Sequence, residues 1–104
     1  MLSLDQRFRP HPDAVDTELE TKEVVLLHLQ SKTYYSLNVT GMRIWQGFKE
    51  GLSLREISRR LQAEFGIDPE QGDQSVLRLA DELSREQLVL REETATPRTG
   101  AGDG

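Results

Sequence analysis

Thr33-Tyr-Tyr-Ser-Leu-Asn-Val-Thr-Gly-Met-Arg-Ile-Trp45 changes its period in the middle. Up to Leu37 the run is dense in residues that suit a pleated surface. Asn38 is then a good helix N-cap, and Met42, Trp45, Phe48 and Leu52 follow at spacings of three and four, one stripe on a helix over Val39 to Glu50 that Gly51 ends. The chain passes from sheet to helix at residue 38, and both halves can be read outward from there.

Upstream, Ala14 to Glu20 and the Val- and Leu-rich Glu23 to Gln30 read as two more extended segments, separated from each other and from Thr33–Leu37 by breaks short enough for hairpin turns. The expectation is a three-stranded antiparallel meander. Downstream, Ser53-Leu-Arg-Glu56 is a capping box, and Leu54, Ile57, Leu61 and Phe65 supply the buried stripe of a second helix that stops at Gly66. Asp68-Pro-Glu-Gln71 opens a third helix from Pro69 to about Gln87, with a cap residue followed by a proline suited to the first helical position. Leu88-Val-Leu90 remains as a short extended closing segment. The fold class is therefore α+β, a winged helix-turn-helix-like arrangement of three strands followed by three helices. Residues 1–12, with Pro10 and Pro12 around His11, read as an irregular arm. Residues 13–91 read as the folded domain, and residues 92–104, which hold nothing larger than Ala to bury, as a disordered tail.

The chain has 104 residues, 36% hydrophobic and 30% charged, enough for one small domain. Thirteen Lys and Arg against eighteen Asp and Glu give a net charge of -5, which lacks the basic excess that phosphate binding requires. There is no cysteine, so disulfides and thiolate chemistry are excluded and nothing points to an oxidising compartment. Val24-Val-Leu-Leu27 is the longest apolar run, far short of a membrane span, and the start carries no recognisable export signal. A cytoplasmic protein without a membrane partner is expected.

Catalytic residues are not evident. His11 and His28 have no sequence partner at metal-ligand spacing, and His28 reads as a structural or solvent-facing strand residue. Acidic neighbours such as Asp81-Glu82 and Glu92-Glu93 read as solvated charges, and Gly41, Gly47 and Gly51 do not form a phosphate-binding loop. No catalytic residue, metal or cofactor is expected. The helix pattern also fits a winged-helix DNA-binding regulator using Arg55, Arg59 and Arg60. Against it, Glu70, Asp73, Asp81, Glu82 and Glu86 on the third helix face only Arg78 and Arg85, so that helix would be repelled from a major groove.

The run from Thr33 to Trp45 resembles the signature of PqqD-like proteins, peptide chaperones that recognise ribosomally made, modified peptides. The similarity continues through Leu54-Arg-Glu-Ile57, Phe65-Gly-Ile-Asp-Pro69 and Ser75-Val-Leu-Arg-Leu-Ala-Asp-Glu-Leu83, and covers about residues 14–90. Gln87 stands where the family often has Gly. The Tyr-Ser-Leu-Asn strand suits the broad PqqD-like group and lasso-type leader binders better than the pyrroloquinoline quinone chaperone proper.

The resemblance implies a non-enzymatic module that binds the leader of a precursor peptide. It would present that precursor to a modifying enzyme such as a radical SAM protein, a cyclase or a leader peptidase. In the family the leader adds as a strand beside the third strand and lies in a groove against the third helix. Here the edge would be Thr33, Tyr34, Tyr35, Ser36 and Leu37. Tyr35 and Leu37 project to one side and Tyr34 and Ser36 to the other, and either set could be the core set. On the third helix, Val76, Leu79 and Leu83 form the core stripe. Asp73, Leu77, Ala80 and Ser84 then lie on a neighbouring, peptide-facing stripe, where Ala80 leaves room for a guest side chain and Asp73 and Asp81 favour a leader with Lys or Arg.

Overall fold

The computed structural model describes residues 3–21 and 23–92. Each helix begins where a polar side chain satisfies an orphan amide. Asn38 Oδ1 accepts from Gly41 N (2.8 Å) at the start of α1 (Val39–Glu50), and Gly51, with φ of 80°, closes it in the left-handed region. Ser53 and Glu56 form the reciprocal capping box of α2 (Leu54–Phe65), with Glu56 N donating to Ser53 Oγ (3.2 Å) and Ser53 N to Glu56 Oε1 (2.9 Å). Asp68 caps α3 (Pro69–Arg85) through Gln71 N, with Pro69 in the first turn. Gln87, just past this helix, has φ of 58°. A left-handed residue at this position explains why glycine would suit it.

The expected meander is present as β2 (Ala14–Glu18), β3 (Val24–His28) and β4 (Tyr34–Leu37), antiparallel in that order. The register places Leu26 opposite Asp16 and Tyr35, and Leu27 opposite Val15 and Tyr34. Val24, Leu26 and Leu37 face the helices and are buried with Ile44, Trp45, Phe48, Ile57, Val76 and Leu83. α1 and α2 approach closely because residue 47 is glycine: a Cβ there would lie 2.5 Å from Ile57 Cγ1.

Three expectations are corrected. Arg7–Pro10, read as part of an irregular arm, is a strand, β1, paired antiparallel with the closing strand β5 (Val89–Glu92). Phe8 is buried against Phe48, ring centroids 5.9 Å apart, and the carbonyls of Gln6 and Leu4 accept from the first two amides of α2. Arg-Phe-Arg-Pro is extended only because β5, at the far end of the sequence, supplies its ladder. Phe65 is 38% exposed rather than part of the buried stripe. It is the last residue of α2, and Ile67, beyond the turn at Gly66, packs against the core instead. The tail expected over residues 92–104 loses Glu92 to β5, and its remainder lies outside the described residues. Among the described residues no helix is long and apolar enough to cross a membrane.

Candidate functional site: the groove between β4 and α3

β4 is an edge strand, and hydrogen bonds in the hairpin determine which of its backbone groups are free. His28 N donates to Thr33 O (2.8 Å), so residues 28 and 33 form a hydrogen-bonded pair of the ladder. Because such pairs alternate along an antiparallel ladder, Tyr35 and Leu37 also bond inward, opposite Leu26 and Val24. Tyr34 and Ser36 therefore turn their amides and carbonyls to the open edge. The side chains divide the other way: Tyr35 and Leu37 point to the helices, whereas Tyr34 is 72% exposed on the opposite face.

Beside this edge lies a groove of about 400 Å³. Leu37, Ile44 and Leu79, all nearly fully buried, form an apolar floor, with Gly41 adding backbone where the start of α1 meets Leu37. Thr40 and Ser75 supply hydroxyls, Ser36 borders the groove along the strand edge, and Glu23, Arg78 and Glu82 supply charge. Tyr35 O–H donates to Glu82 Oε1 and so ties the strand to the helix. This hydrogen bond to a carboxylate, together with burial, pushes the Tyr35 phenol up to about 12. The side chain therefore remains a donor throughout the physiological range.

The expected strand residues Tyr35, Ser36 and Leu37 line this groove; the expected helix residues do not. Ala80 is fully buried in the core, and Leu77 packs at its margin. Asp73 accepts from Ser58 Oγ (2.6 Å) between α2 and α3, Asp81 pairs with Arg85 (3.3 Å), and Ser84 is exposed away from the groove. The helix stripe that does face β4 is Ser75, Arg78, Leu79 and Glu82. Its three-, four- and seven-residue spacing is visible in the sequence, but the side on which β4 lies is not. Leu79, assigned to the core, serves both core and groove. The carboxylates that line the groove are Glu23 and Glu82, whereas Asp73 and Asp81 lie outside its lining.

His11 and His28 come together, ring centroids 4.6 Å apart. His11 Nδ1 accepts from Asp13 N (2.9 Å), and His28 Nδ1 from Gln30 N (3.2 Å) and Ser31 N (3.4 Å), so both act as turn caps. His28 is the buried, structural alternative of the two readings. No group of three potential metal ligands occurs among the described residues. Two of the three arginines on α2 are engaged by carboxylates, Arg55 by Asp5 (3.1 Å) and Arg60 by Glu50 (2.9 Å), which weakens the case for a phosphate-binding helix.

The chain is similar to two solved structures described as complexes with leader peptides. One is TbiB1 with the TbiA(beta) leader peptide, at 29% identity and a TM-score of 0.72, covering 86% of this chain and 99% of that one. The other is a lasso peptide synthetase B1 with its leader peptide, at 24% identity and a TM-score of 0.74, covering 81% and 98%; at that identity it speaks for the fold alone. Comparison with curated proteins found no match. The family described as Coenzyme PQQ synthesis protein D (PqqD) matches residues 23–89, from the start of β3 through all three helices to β5, and the chain belongs to that family.

Proposed function

We propose that this chain binds the leader segment of a ribosomally made precursor peptide and presents the precursor to a modifying enzyme or leader peptidase, performing no chemistry of its own. The observation that carries this reading is the free backbone edge at Tyr34 and Ser36 beside a groove with an apolar floor. An extended peptide pairing with β4 gains main-chain hydrogen bonds, while its alternate side chains enter the groove over Leu37, Ile44 and Leu79. Arg78, Glu23 and Glu82 at the rim select among sequences by charge. The module works in the cytoplasm, where precursors are synthesised. The runner-up, a DNA-binding regulator, has no comparable support: α3 is rich in carboxylates and the α2 arginines are largely paired.

Fluorescence polarisation with labelled leader peptides, taken from precursor genes neighbouring this one, tests the reading. Backbone pairing and apolar burial should change Kd by less than about threefold between 50 and 200 mM salt, whereas a DNA binder with six or more phosphate contacts would lose about a thousandfold. Tight, steeply salt-dependent binding to duplex DNA without peptide binding would overturn the proposal.

A further inference from the structure

The face of the sheet turned away from the helices is apolar where a solvated face should be polar. Along β2 the usual pattern is inverted. Asp16 and Glu18 point to the helix side, where Asp16 Oδ2 accepts from Trp45 Nε1 (2.7 Å) and Lys49 Nζ (3.0 Å). This leaves Val15 and, just past the strand, Leu19 facing outward, 41% and 40% exposed. β3 adds Val25 and Leu27, followed by Leu29 at 46%, and β4 adds Tyr34 at 72%. The polar side chains among them, Thr17 and Ser36, are uncharged. No described segment covers this face. An antiparallel sheet with one solvated side normally alternates apolar-in and polar-out; this one is apolar on both sides, as in a sheet buried on both.

We propose that this face is a self-association surface, occupied by the same face of a second copy across a two-fold axis running close to parallel with β3. The strand register makes the face self-complementary under that operation, because β2 of one copy then lies over β4 of the other. In the row Val15–Leu27–Tyr34, the large Tyr34 meets the small Val15 of the second copy and Leu27 meets Leu27. In the next row, Thr17–Val25–Ser36, hydroxyl meets hydroxyl and Val25 meets Val25. A two-fold axis perpendicular to the strands and passing through the first row would instead set Tyr34 on Tyr34 and Val15 on Val15, large on large and small on small.

Charge points the same way. The chain carries a net charge of -5, so two copies oppose one another over most of their surface, yet none of these side chains is charged. The paired faces would remove on the order of 1,000 Å² in total, at the low end of specific interfaces, so the dimer is weak and concentration-dependent. Screening the net charge with salt should strengthen it. The surface is distinct from the groove, because Tyr35 and Leu37 point to the opposite side of β4.

Sedimentation equilibrium from about 10 µM to 1 mM protein tests this in a concentration range suited to a weak interface. The average mass should climb from the 11.8 kDa protomer toward twice that value, more steeply at higher salt. Val15→Lys and, as a second variant just outside the strand, Leu29→Lys should remain folded by circular dichroism and stay at the protomer mass. Val15→Lys lies on the far edge from β4 and should bind leader peptide like the parent, so failure here and failure of the peptide-binding reading are separable. The axis has its own readout, since the chain lacks cysteine. With sheets packing about 10 Å apart, a short bis-maleimide should link Val15→Cys to Tyr34→Cys several times faster than it links Tyr34→Cys to itself. A single protomer-mass species up to 1 mM would overturn the proposal, and equal or faster self-linkage at residue 34 would overturn the axis.

Discussion

β2 and β4 are the two edges of one sheet, and each is tied to a helix by a side-chain hydrogen bond, yet they border different spaces. At β2, Asp16 is held by Trp45 and Lys49 of α1, and the adjoining hollow is about 120 Å³. At β4, Tyr35 is held by Glu82 of α3, and the groove is about 400 Å³ with an apolar floor. Both strands present free backbone. Leu29 N donates to Asp13 O and Leu19 N to Glu23 O, so the alternating ladder leaves the amides of Asp16 and Glu18 at the open edge, as it does those of Tyr34 and Ser36. An unpaired edge is therefore not by itself a peptide site; a wall beside it and a floor for side chains make the difference.

α1 serves both edges, through Trp45 at β2 and through Gly41 and Ile44 at β4, so disturbing it should erase the contrast. Gly47→Ala places a methyl against Ile57 and should cost about 1–3 kcal/mol, lowering Tm by roughly 4 °C or more in a thermal melt and weakening leader binding with it. Tyr35→Phe touches only the β4 side: loss of the donor to Glu82 should cost about 1 kcal/mol in urea unfolding and leave the β2 side intact. The phenol's folded value lies above its unfolded value near 10, so this contribution is present below pH 10 and lost as pH rises through about 12. In a Tyr34→Phe background, tyrosinate absorbance should appear only near pH 12.

The smallest effect belongs to β2. Hydrogen bonds from Trp45 and Lys49 hold the Asp16 carboxyl below its ordinary 3.8. The stabilisation is present above that value and lost as pH falls through the lower folded one. Asp16 and Lys49 are both partly exposed, so Asp16→Asn should remove under about 1 kcal/mol at neutral pH and flatten the acid limb of stability below the ordinary value of 3.8.

Local signals made most of the fold legible. Asn38, the Ser53–Glu56 box and Asp68-Pro69 each act within one helical turn, and all three helices start where those residues stand. Features that depend on distant partners were not legible. Arg7–Pro10 needs β5, and Phe8 needs Phe48, before either can be placed. The groove stripe of α3 follows from the side on which β4 packs, which is why Ala80 and Asp73 turned out to serve helix packing while Arg78 and Glu82 face the strand. Which backbone groups of β4 are free likewise depends on register, fixed here by the bond between His28 and Thr33.

The central claim is that a peptide pairs with the open edge of β4, and paired proline substitutions at the two edges test it most directly. Ser36→Pro and Glu18→Pro each remove an amide that faces outward, so both should leave the fold intact by circular dichroism. The account predicts that Ser36→Pro weakens leader binding by about fivefold or more, for at least one lost hydrogen bond, while Glu18→Pro binds like the parent. A folded Ser36→Pro protein that binds leader peptide as tightly as the parent would contradict strand addition at β4.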